Sequence, residues 1–97
     1  ITIKAPDNLV IDKKLVGNWQ SADSFQYFEF HDDCTAIIRD IFNLTTVECK
    51  YSCKNGVATF YAMSNENKEN VTEREYSFTS DGKLEIDGYI YETVQQN

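Results

Sequence analysis

Residues 13–21 read KKLVGNWQS and hold the chain's single tryptophan, Trp19, two residues after Gly17. Leu15, Gly17 and Trp19 share one parity, as the inward positions of a strand do. The stretch predicts the opening strand of a closing barrel. Downstream, short segments of β-branched and aromatic residues recur at a spacing of ~8 to 12 residues, the mark of an all-β meander. They run from Leu15 to Ser21, Phe25 to His31, Thr35 to Ile41, Thr45 to Lys54, Val57 to Ala62, Val71 to Thr79, Lys83 to Ile86 and Tyr89 to Val94. Asp32-Asp33, Asn55-Gly56, Asp81-Gly82 and Asp87-Gly88 punctuate them. Asn-Gly and Asp-Gly supply the positive φ angles of tight hairpin turns, so successive segments are predicted to pair antiparallel. The polar run SNENKEN, 64–70, is expected to be a solvated loop. Nothing in the chain predicts a helix of ordinary length.

With 97 residues the chain suits one domain. Pro6 and Asp7-Asn8 break any strand begun at Ile1, so residues 1–14 are read as a lead-in and 15–97 as the barrel domain. Asp12 to Leu15 has room for one helical turn. A net charge of −7, with scattered basic residues, argues against nucleic acid and anionic membrane surfaces as partners. No run approaches the ~20 apolar residues of a membrane-spanning helix. The sequence starts at Ile1 rather than Met, which fits a processed form; a signal peptide or lipid anchor would then lie outside it.

Alternation assigns the faces. Glu48, Lys50, Ser52 and Lys54 point to water, so Val47, Cys49, Tyr51 and Cys53 point inward. Phe28 and Phe30 go in, Glu29 and His31 out. Glu73, Glu75 and Ser77 go out, which sends Arg74, Tyr76 and Phe78 in. An inward arginine is the anomaly, because a buried charge needs a partner.

Gly17-Asn18-Trp19 resembles the G-x-W opening of the lipocalins and their calycin relatives. The longer pattern "LVGNWQS…YFEFHDDCTAII…YSCKNGVATF…REYSFTSDGKLEIDGYIYETV" resembles the small lipocalin-like domains of secreted or lipid-anchored proteins of gut bacteria. The resemblance covers about residues 13 to 94, with Cys34 standing where the turn glycine is usual. It implies an eight-stranded meander barrel and an extracytoplasmic address. It also implies that Trp19 closes one end, with a late arginine packed across it. Arg74, on an inward parity, is the candidate for that arginine.

No chemistry-bearing motif stands out. His31, Asp32, Asp33 and Cys34 place three metal-ligand types together, but ligands so close at one hairpin corner rarely converge on an ion, and turn aspartates ordinarily accept backbone N–H bonds. His31 faces out while Cys49 and Cys53 face in, which separates any thiol from a base. The expectation is a non-enzymatic binding module without cofactor or metal. It would bind a small apolar molecule or, with a filled core, a protein partner at an outer face or sheet edge. An interior cavity of roughly 300 Å³ or more would favour the small molecule. Tyr51, Phe60, Tyr76 and Tyr89 are the expected pocket residues, since tyrosine joins an apolar body to a polar tip.

The three cysteines complete the reading. If the connection after Thr35–Ile41 centres near Asn43-Leu44, Cys34 faces Cys53, with Cβ atoms ~4.5 to 5.5 Å apart. A Cys34–Cys53 disulfide and three reduced thiols then both fit. Cys49 and Cys53 cannot pair within one strand, being ~13 Å apart.

Overall fold

The computed structural model describes residues 8–62 and 71–94, so the expected loop at 64–70 lies outside the described residues. Eight strands form a closed antiparallel barrel in which each pairs with the next. They are β1 (Gly17–Gln20), β2 (Gln26–Phe30), β3 (Thr35–Asp40), β4 (Thr45–Lys54), β5 (Val57–Ala62), β6 (Val71–Phe78), β7 (Leu84–Ile86) and β8 (Tyr89–Thr93). Closure comes from β8 on β1, where Trp19 pairs with Thr93 and Gln20 with Glu92.

Turn chemistry explains most of the junctions. Asn55 and Gly56 have φ of 52° and 77°, Asp87 and Gly88 of 53° and 87°, the double positive φ of two-residue hairpins. Asp81-Gly82 behaves differently. Only Gly82 is left-handed, and a wider loop closes between Thr79 and Lys83, whose carbonyl accepts from the Thr79 amide at 2.8 Å. At the β2–β3 corner Cys34 itself takes φ 68°. It adopts the left-handed conformation that glycine reaches without steric cost.

The interior follows the predicted parity. Trp19, Phe28, Phe30, Cys49, Tyr51, Cys53 and Phe60 are buried, joined by Leu15, Leu84, Ile86 and Tyr91. Aromatic rings fill the centre: Phe28 meets Tyr91 edge-on at 5.2 Å and Phe30 meets Tyr51 at 5.1 Å. Burying each such side chain contributes about 1.5–3 kcal/mol, so this cluster dominates the fold's stability. No buried side-chain polar atom among the described residues lacks a partner.

One end of the barrel is sealed by the residues leading into β1. The Leu15 amide donates to the Asp12 carbonyl at 2.9 Å, the single turn expected there. Val10 bridges to β4, its amide donating to Ser52 Oγ at 3.0 Å and its carbonyl accepting from the Cys53 amide at 2.7 Å. The second half of the lead-in is therefore tied to the barrel wall. Trp19 lies against Phe78, ring centroids 6.3 Å apart, and its Nε1 donates to the Leu15 carbonyl.

Arg74 faces inward, but its expected partner is wrong. Its guanidinium carbon lies 5.6 Å from the Phe28 ring centroid instead of over Trp19. Trp19 sits at the sealed end, whereas Arg74 enters β6 from the opposite end; shared parity does not give shared depth.

The cysteine pairing is also corrected. Asp40 pairs with Thr45 and Ala36 with Cys49, so the β3–β4 hairpin centres on Phe42-Asn43 rather than Asn43-Leu44. The cause is Asp40, whose Oδ1 accepts from the amides of Phe42 and Asn43, both at 3.0 Å, and closes the loop over four residues. Cys34 consequently lies beside Tyr51, whose amide donates to its carbonyl, and Cys34, Cys49 and Cys53 are free thiols.

Candidate ligand-binding site

Among the described residues, nothing covers the end opposite the seal. There, inward residues near the ends of β2 to β6 surround a recess of about 170 Å³. Ile38, Val47, Phe60 and Ala62 with Cys49 form its apolar walls, and Gln26, Thr72 and Arg74 bring polar groups. The ladder explains the grouping, because Ile38 pairs with Val47, Cys49 with Ala62 and Phe60 with Thr72.

Arg74 spans this end. From β6 its Nη1 donates to Gln26 Oε1 on β2 at 3.0 Å and to Asp87 Oδ2 on the β7–β8 turn at 3.3 Å. Its side chain is 26% exposed, so the charge is half-buried, and among the described residues its one salt-bridge partner is the more exposed Asp87. Burial pushes the Cys49 thiol up to about 11. At neutral pH it stays protonated and contributes an apolar wall.

Around the same end lie the most exposed large apolar side chains among the described residues. Leu44 is 87% exposed and Phe42 72%, at the tip of the β3–β4 hairpin, with Ile41 and Phe25 beside them. Phe25 and Phe42 rest on each other, centroids 5.2 Å apart. Exposed apolar side chains gathered in one place, rather than scattered singly, are a feature of contact surfaces in general.

Of the four expected pocket residues, only Phe60 lines the recess. Tyr51 is fully buried beyond it, its hydroxyl donating to the His31 carbonyl at 2.7 Å. Tyr76 is anchored at the sealed end, donating to Asp12 Oδ2 at 2.8 Å. Tyr89 sits beside the β7–β8 turn, 47% exposed. Gln26, Ile38, Val47 and Thr72 were missed; the signal was available in Arg74, whose inward charge demanded polar company at its own depth.

A second hollow, about 510 Å³, lies outside the barrel between the Asn55-Gly56 turn and the Glu75, Glu85 and Asp87 carboxylates. It is a mostly polar surface groove, with Val57 and Tyr76 as its apolar lining. At the His31–Cys34 corner both imidazole nitrogens are engaged, Nδ1 with Thr35 Oγ1 at 2.8 Å and Nε2 with Glu29 Oε2 at 3.2 Å. Asp33 accepts from the Thr35 amide and hydroxyl, which hold its carboxyl below the usual range. These groups are occupied by turn structure.

No family model, curated protein or solved structure matches the chain. No helix among the described residues is long and apolar enough to cross a membrane.

Proposed function

We propose that the protein is a non-enzymatic binding module acting outside the cytoplasm, and that it binds at the open end of its barrel. The observation that carries this reading is the coincidence of the recess with the exposed cluster of Phe25, Ile41, Phe42 and Leu44. Ligand pockets usually measure about 300–1,000 Å³, so a recess of about 170 Å³ accommodates part of a ligand while the rim covers the rest. The filled interior speaks against a deep calyx holding a large apolar molecule. The extracytoplasmic address follows from the lipocalin-like resemblance of residues 13 to 94.

The test is an amide-shift screen of the labelled protein against small amphiphiles, with mass spectrometry of gently purified protein for co-purifying molecules. Shifts are expected at Gln26, Ile38, Val47, Thr72 and the 41–44 tip. Shifts confined to the sealed end, or a silent screen together with an adduct-free protein, would refute open-end binding of small molecules. A second reading, a protein partner docking on the rim, is favoured by the projection of Phe42 and Leu44 beyond the recess. A silent screen accompanied by a partner lost in Phe42→Ser would select it.

A further inference from the structure

Building on the open-end reading, we infer that the ligand is an amphiphile with a carboxylate head, bound head inward. Arg74 is the one charged group among the described residues lining the recess. It lies at the inner side, over Phe28, which is fully buried. The apolar surface lies outward, at Val47 and on the Phe42 and Leu44 tip. Polarity therefore runs from a cation inside to hydrocarbon outside, and a ligand must match that order.

The donors specify the head. Among the described residues only Nη1 of the guanidinium makes hydrogen bonds, to Gln26 and Asp87. Guanidinium carries five N–H donors in a planar fork suited to a carboxylate. Because Gln26 spends its Oε1 on Arg74, its amide N–H₂ is left to donate, and Thr72 adds a hydroxyl to the same recess. Asp87 already offsets part of the Arg74 charge. What remains suits a monoanion better than a dianionic phosphate. The recess takes the head and the first few carbons; the tail continues across the apolar rim.

Octanoate and octan-1-ol share a chain and differ in the head, so calorimetric and amide-shift titrations with each separate the contributions. Octanoate is expected to bind wild type about ten-fold or more tighter than octanol, as a charge-assisted hydrogen bond implies. Arg74→Gln should remove that preference, bringing the octanoate-to-octanol affinity ratio to about one, and Leu44→Ser should weaken both probes alike. If Arg74→Gln fails to fold, Asp87→Asn decides. Asparagine tolerates the φ of 53° at this position, and freeing Arg74 should tighten octanoate alone. Equal wild-type affinities, or an Asp87→Asn variant without effect on octanoate, would overturn the carboxylate head while open-end binding stood. If neither probe shifted any recess or rim amide, open-end binding of amphiphiles would fall with it.

Discussion

The indole Nε1 of Trp19 donates to the backbone carbonyl of Leu15 at 2.8 Å, and both residues are buried. The bond ties the first strand to the turn that precedes it, at the sealed end of the barrel. Trp19→Ala removes the bond and opens a void against Phe78. A loss of about 3–5 kcal/mol is expected, a large share of the stability of so small a domain. Urea unfolding followed by circular dichroism reads it. A midpoint within error of wild type would show that the tryptophan does not seal the barrel.

Cys34→Gly is expected to stabilise the protein. A left-handed residue with a Cβ costs about 1–2 kcal/mol, and glycine returns about 0.5–1 kcal/mol of that as unfolded-state entropy, a net gain of up to about 1.5 kcal/mol. The contact Cys34 makes to Tyr51 is through its carbonyl and survives the change. A lowered urea midpoint would mean that the thiol makes a contribution larger than the backbone strain.

Thiol reactivity should divide one against two. Cys49 and Cys53 are buried and their thiols are raised by burial, while Cys34 is partly exposed. A thiol-reactive chromophore should label one cysteine rapidly in the native protein, mapped to Cys34, and three after denaturation without reductant. Only one labelled after denaturation would reveal a disulfide and demand a register other than Ala36 opposite Cys49.

Alkaline pH should weaken the fold through its tyrosines. Burial raises Tyr51, Tyr76 and Tyr91 above the ordinary phenol value, with Asp12 adding to the effect at Tyr76. The folded state then retains protons that the unfolded chain releases. Their stabilisation is complete below pH ~10 and declines as pH rises toward the folded values. For fully buried Tyr51 the decline is about 1.4 kcal/mol per pH unit. Urea midpoints between pH 8 and 11 should fall for wild type and fall less steeply for Tyr51→Phe. Parallel slopes would show that Tyr51 is ionising freely in the folded protein.

Alternation and turn residues carried most of the architecture. Phe28, Phe30, Cys49 and Tyr51 are inward because side chains on a strand alternate, and that period is local. Asn55-Gly56 and Asp87-Gly88 turn the chain because both residues of each pair tolerate positive φ. Local chemistry of this kind is legible in a one-dimensional string. The β3–β4 register was not, since it turned on which amides the Asp40 carboxylate captures. A two-residue shift of partner leaves every side chain on its own face, so alternation cannot detect it. Depth was equally invisible. Tyr51, Tyr76 and Phe60 share the inward face, yet only Phe60 reaches the recess. Residues Val10 to Leu15 fold back over the other end, and β2 brings Gln26 to Arg74 across a separation of 48 positions. Parity told which residues enter the barrel; only closure of the sheet and the packing of its leading segment decided which end they face, and so where a ligand can reach.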